Sequence, residues 1–196
     1  MSDVKNQSGI IMTGPRMAQV RHDLAITSPD YGQLLIRTRA VALNPPDWMA
    51  LDSFGRPGAG VGFDFAGEIL EIGEGCANWN VSDRVAGFVH ASGCFSCKLF
   101  GFSMTGFIPG HAANYCNGAF REYVTADADL VMRIPDHMFL DEASTLGMGV
   151  STAAQALHQW LPLPLPTLDP QPSNRTILIY GGSSATGSIA IQLAKL

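Results

Sequence analysis

Ile177-Leu-Ile-Tyr-Gly-Gly-Ser-Ser-Ala-Thr-Gly187-Ser-Ile-Ala-Ile-Gln-Leu-Ala-Lys-Leu196 is the stretch on which the fold turns. Thr176 to Tyr180 is a short apolar run rich in β-branched residues and reads as a buried strand. Gly181 to Gly187 is a turn of glycines and hydroxyl residues. Ser188 to Leu196 reads as a helix, with Ile189 over Leu193 and Ala190 over Ala194 at i,i+4 spacing. Strand, glycine-rich turn and helix open a dinucleotide-binding βαβ unit, in which glycines admit a pyrophosphate and the first helical N–H groups point at it. The turn does not match G-x-G-x-x-G strictly, so alone it reads equally well as a plain strand–helix connection. The ribose-reading residue of such a unit lies about 20 residues beyond the glycines. The chain ends at Leu196, so most of that unit is expected to be missing.

Working back from this stretch, Leu161-Pro-Leu-Pro-Leu-Pro166 and Asp169-Pro-Gln-Pro172 form a stiff linker that no helix survives. Before it, Leu140 to Trp160 reads as helix, weakened at Gly147 and Gly149. Earlier still the pattern is short strands punctuated by Gly and Pro. Ile10-Ile-Met and Ala25-Ile-Thr form a strand pair, and Gln33 to Asn44 a long strand stopped by Pro45 and Pro46. Further strands fall at Glu68–Gly75, Asp83–Val89, Gly118–Thr125 and Leu130–Ile134. The expectation is a compact β-barrel-like domain over about residues 9–135.

Of the 196 residues, 46% are hydrophobic and 15% charged, which is a globular composition. A net charge of −5 without a basic stripe excludes a nucleic-acid partner from the expectations. No signal-peptide core or membrane-length apolar run is present, so a cytoplasmic protein without membrane attachment is expected. Cys94 and Cys97, with Cys116, His90 and His111 nearby, read either as a zinc knuckle or as free thiols in an irregular insert over about residues 91–116. His22, His137 and His158 are assigned no role. Asn44-Pro-Pro-Asp-Trp48 is open to a plain reading as a turn with a buried tryptophan. Thr145 is equally open to one as a helix residue bonding its own backbone.

Together, Asn44-Pro-Pro-Asp-Trp48, Gly62-Phe-Asp-Phe-Ala-Gly67, Asp83-Arg-Val-Ala-Gly-Phe-Val-His90, Gly118-Ala-Phe-Arg-Glu-Tyr123, Glu142-Ala-Ser-Thr-Leu-Gly147 and Ile177-Leu-Ile-Tyr-Gly-Gly182 occur in one order. In that order they resemble the medium-chain dehydrogenase/reductase superfamily. The nearest resemblance is to its zinc-free fungal branch of trans-acting enoyl reductases and toxin-cluster oxidoreductases. The resemblance implies a mixed α/β fold: a GroES-like β-barrel catalytic domain at 9–135, a connecting helix at 139–160, a linker at 161–175, and the start of a Rossmann domain at 176–196. It implies NADPH as cofactor and reduction of an α,β-unsaturated acyl thioester carried by a polyketide synthase in secondary metabolism, by a monomer. By motif match, Pro46, Asp47, Trp48 and Met49 would touch the cofactor, as would Gly181, Gly182, Ser183, Ser184, Ala185, Thr186 and Gly187. Leu146, Gly147, Met148, Gly149, Val150, Ser151, Thr152 and Ala153 would line the acyl pocket. Thr145 would stand at the reacting centre.

Four departures qualify this. Met49 stands where the family often has lysine, and a thioether donates no proton. Zinc relatives carry Gly-His-Glu where this chain has Gly62-Phe63-Asp64, so no catalytic metal is expected. The 91–116 segment is longer than the branch's usual loop and also fits a translated intron. The chain is expected to be a truncated form, with its activity alone left open, of a longer reading frame that exists or once existed. A zinc-free quinone or alkenal reductase, or a non-catalytic GroES-like remnant, are the competing expectations.

Overall fold

The computed structural model describes residues 6–54, 56–89, 117–161, 163–167, 169 and 175–196. The 91–116 insert, with Cys94, Cys97, Cys116 and His111, lies outside the described residues, as does His90. Among the described residues, seven strands and four α-helices follow in the order β1 (Asn6–Gly14), β2 (Met17–Ala25), β3 (Gln33–Ala42), α1 (Pro45–Met49), β4 (Asp64–Ile72), β5 (Arg84–Phe88), β6 (Tyr123–Asp127), β7 (Val131–Arg133), α2 (Leu140–Ser144), α3 (Gly147–Ala154) and α4 (Ala185–Leu193).

β1 and β2 form an antiparallel hairpin, and the other five strands form an antiparallel sheet in the order β6-β3-β4-β5-β7. β1 is stitched onto this sheet outside the ladders. Ile10 N–H donates to the Phe120 carbonyl at 2.9 Å and Met12 N–H to the Ala59 carbonyl at 2.9 Å. The long strand expected from Gln33 is therefore the hub: β3 pairs with β4 along its length and with β6 over Gln33–Arg37.

β4 shows why the sheet holds two apolar layers. Successive side chains point to opposite faces. Phe65 and Ile69 enter a core with Leu34, Ile36, Val85 and Val124. Ala66 points the other way, into a layer with Ala86, Ile134 and Ala143 of α2. With α2 residues on one face and the Phe65 core on the other, β4 is buried from Asp64 through Gly67.

Three expectations change. The 140–160 helix is interrupted: α2 ends at Ser144, α3 restarts at Gly147, and Gln155–Trp160 continues as a wider π-helical turn. Asn44–Trp48 is not merely a stop, because the two prolines occupy the first turn of α1, where no N–H is needed. Trp48 is 61% exposed rather than buried. Residues 175–179 form no ladder among the described residues, and Leu178 and Tyr180 are 92% and 99% exposed. A strand is made by its partner, and the apolar run has none within the described residues.

Candidate functional site

The site is built around a carboxylate that the sequence reading left without a role. Asp64 opens β4 opposite Ala42 of β3 and Phe88 of β5. It shares the helix-covered face with Ala66, and none of its surface reaches solvent. Such a group requires partners. Its Oδ2 accepts from Asn44 Nδ2 at 2.9 Å, and its Oδ1 accepts from the backbone N–H of Met148 at 2.7 Å. Asn44 in turn donates its backbone N–H to Asp47 Oδ2 at 2.6 Å. One chain of hydrogen bonds thus runs from α1 through the sheet to the start of α3.

The junction is tight. A Cβ on Gly147 would lie 2.6 Å from the Gly87 carbonyl oxygen and 2.7 Å from Asp64 Oδ1. Only glycine lets α3 begin so close to β5. Two residues later, α3 meets α4, where a Cβ on Gly149 would lie 2.6 Å from Ile189 Cδ1. Here the "weak" glycines of the sequence are contact points.

α4 is preceded by the glycine turn. Gly181 has φ +83°, a conformation glycine adopts without strain. Ser184 Oγ accepts from Gly187 N–H at 3.1 Å and caps the helix. A Cβ on Gly187 would lie 2.2 Å from the Gly181 carbonyl oxygen, so the turn folds directly onto the first helical turn. The N–H groups of Ala185 and Thr186 open the helix and have no intrahelical acceptor.

The structure brings some expected site residues together and leaves others apart. Asp47 is buried at 6% exposure, Pro46 and Met49 are half-buried, and Trp48 is outward. Gly147, Gly149 and Ala153 are buried, while Leu146, Met148, Val150, Ser151 and Thr152 are half-buried along α3. Ser183, Ser184, Ala185 and Thr186 are exposed, Gly182 is half-buried and Gly187 is buried. Thr145 is exposed at the end of α2, its Oγ1 donating to the Glu142 carbonyl at 2.7 Å. That is the plain backbone-bonding geometry. Asp64 and Asn44 were missed, although a carboxylate between Phe63 and Phe65 is itself a signal that a buried charge needs partners.

Both carboxylates titrate high. Burial pushes Asp47 up to about 6, against the opposing pull of the Asn44 and Phe63 amides. Burial likewise pushes Asp64 up to about 6, opposed by Asn44 and the Met148 amide, with the nearby Asp47 charge adding to the rise. The folded protein therefore keeps protons that the unfolded chain loses near pH 4. The stability these protons contribute is present at low pH and is lost as pH rises through about 6. Asp47→Asn keeps an acceptor for the Asn44 N–H and removes the buried charge. Relative to wild type, this variant is expected to gain on the order of 2 kcal/mol between pH 4 and pH 7. Urea unfolding across that range checks it, and a pH-independent difference would refute it.

The alcohol dehydrogenase GroES-like domain family matches residues 30–136. The chain belongs to this family. It is thereby a member of the medium-chain dehydrogenase/reductase superfamily, with the mixed α/β, GroES-like fold expected of it. The trans-enoyl reductase resD of Aspergillus sclerotiorum is 38% identical over 198 residues, covering 95% of this chain and 50% of the relative. The trans-enoyl reductase TOXD of Cochliobolus carbonum is 38% identical over 191 residues, covering 97% of this chain and 58% of the relative. The chain thus spans about half the length of the curated relatives it matches. Among solved structures, an alcohol dehydrogenase superfamily protein from Novosphingobium aromaticivorans superposes with a TM-score of 0.73 at 22% identity, over 97% of this chain and 50% of that one. CurK enoyl reductase gives 0.68 at 20% identity, over 96% and 51%. These two show the shared GroES-like fold. No helix among the described residues is long and apolar enough to cross a membrane.

Proposed function

We propose that the protein carrying this chain is an NADPH-dependent enoyl reductase of secondary metabolism. It acts in trans, as a cytoplasmic monomer, on acyl thioesters carried by a polyketide synthase. The observation that carries this reading is the 38% identity to trans-enoyl reductases across almost the whole chain. In this reading residues 9–135 are the catalytic GroES-like unit, 139–160 connect, 161–175 link, and 176–196 open the Rossmann cofactor unit.

The residues present fit such a cofactor. At Gly181 the turn leaves open the space a Cβ would occupy, and the amides of Ala185 and Thr186 are the anion-binding groups of a helix start. Bound NADPH supplies a hydride for the β-carbon of the enoyl thioester. The chain's own task is alignment and charge stabilisation. Gly181 to Gly187 and Pro46 to Met49 would hold the cofactor. Leu146 to Ala153 along α3 receive the acyl chain. Met49 carries no proton to give. The Thr145 hydroxyl, the group assigned to the reacting centre, reaches an α-carbon only by leaving the Glu142 carbonyl.

A second reading, a zinc-free quinone or alkenal reductase, is favoured by one likeness. A quinone oxidoreductase from Coxiella burnetii is 26% identical with a TM-score of 0.66, over 97% of this chain and 54% of that one. Fluorescence titration with NADPH, on the 196-residue chain and on a version extended to the next in-frame stop, tests the cofactor. A crotonyl-type thioester assayed beside a quinone tests the substrate. NADPH binding with thioester reduction is expected of the extended protein. Quinone turnover alone would select the second reading, and no binding by either version would leave a non-catalytic remnant.

A further inference from the structure

We infer that Asp64 is a positioning residue, one buried carboxylate that holds the α1 side and the α3 side of the site at a fixed separation. The inference rests on the enoyl reductase reading for its functional consequence, but its geometry stands alone.

Each oxygen of Asp64 holds a different element. Oδ2 holds Asn44, the residue that leads into α1 and whose backbone N–H is itself bonded to Asp47. Oδ1 holds the Met148 amide at the second position of α3. An amide there has no intrahelical acceptor, so Asp64 is the acceptor that protects it. A carboxylate at this end of α3 also lies at the positive end of the helix dipole. The missing Cβ of Gly147 removes the last obstacle to this approach, at 2.7 Å from the same Oδ1.

Burial by itself does not favour an acid here. Apolar side chains of similar volume are often neutral or stabilising in place of buried charge. An apolar residue would fill the space, but it would leave Asn44 Nδ2 and the Met148 N–H without their acceptor. What the carboxylate adds is direction. It fixes where α1 ends up relative to α3, the two elements proposed to carry the cofactor contacts and the acyl pocket. Small displacements between two such surfaces are what reaction rates respond to most steeply.

The test compares wild type with Asp64→Leu and Asn44→Ala in the extended protein. Three readouts are taken: amide hydrogen exchange at Met148, the NADPH dissociation constant, and kcat and KM on a crotonyl-type thioester. Asp64→Leu keeps a similar volume and removes both acceptors. It is expected to speed Met148 exchange at least about tenfold, because protection there tracks local opening. It is also expected to lower kcat by about tenfold or more, with KM and the NADPH constant changed less than about threefold. Asn44→Ala leaves the Met148 amide on Asp64. It is expected to lower kcat comparably while Met148 stays protected, and it decides the matter if Asp64→Leu does not fold. Unchanged Met148 exchange in Asp64→Leu, or unchanged kcat in Asn44→Ala, overturns the inference. So does a kcat loss that only follows a general loss of protection across the sheet. If wild type binds NADPH but reduces no thioester, the enoyl reductase reading fails, and Met148 exchange still decides whether Asp64 holds α3.

Discussion

Gly187→Val is expected to raise the NADPH dissociation constant by about 100-fold or more while changing global stability little. The cause is one contact. A Cβ at this position would stand 2.2 Å from the Gly181 carbonyl oxygen and 2.9 Å from Gly182 Cα. Both are backbone atoms of the turn and neither can rotate aside. The turn must move away from the helix, which displaces Gly182 and Ser183 from the Ala185 and Thr186 amides proposed to bind the cofactor. The turn and α4 lie far along the chain from the sheet core, and their surface is largely exposed, so the β-domain should keep its unfolding midpoint. Fluorescence titration of both proteins, paired with urea unfolding, separates the effects. Undiminished NADPH affinity would mean that this turn is a plain strand–helix connection, the alternative open from its sequence.

How much of this was legible in the residues differs from element to element. The β-rich domain was legible because Gly and Pro punctuate alternating apolar runs, and β3 appears close to its expected bounds. The glycine turn and the helix after it were legible for the same local reasons. The Thr176–Tyr180 strand was not realised, because pairing is a property of neighbours and not of β-branched composition. Of the break at Thr145–Leu146, only the weak point at Gly147 was legible in the residues. The cause of the break is tertiary: Gly147 presses on Gly87, and Asp64 captures the Met148 amide. Asp64 itself was visible as a letter, and its distance from the zinc-type Gly-His-Glu pattern was noted. Its partners lie 20 residues before and 84 residues after it in the chain, and no local pattern links those positions. Asp47 was reached through the motif, yet its burial beneath an outward Trp48 reverses the orientation that hydrophobicity alone suggests.

The core offers the largest expected effect on stability. Phe65→Ala is expected to destabilise the protein by about 3–5 kcal/mol. Phe65 is fully buried, centred in the layer of Leu34, Ile36, Ile69, Val85 and Val124. Its ring reaches Gly87 of the neighbouring strand, where an added Cβ would lie 3.3 Å from Phe65 Cζ. Truncation therefore loses apolar burial and also opens a cavity walled by three strands. Those strands are fixed by ladders on both sides of β4 and have little freedom to collapse into the gap. Set against a total of roughly 5–15 kcal/mol for a typical domain, such a loss removes a large share of the stability. Phe65→Leu keeps most of the volume and should lose only about 1–1.5 kcal/mol. Urea unfolding of the two variants checks the ordering. A shift in midpoint at constant slope is expected, since the surface exposed on unfolding barely changes. Because Asp64 precedes Phe65 and points to the opposite face, moderate destabilisation here should leave Met148 exchange under native conditions as slow as in wild type. Faster Met148 exchange in Phe65→Leu would mean that the two faces of β4 are not independent, and that the bond to α3 depends on core packing as well as on the carboxylate.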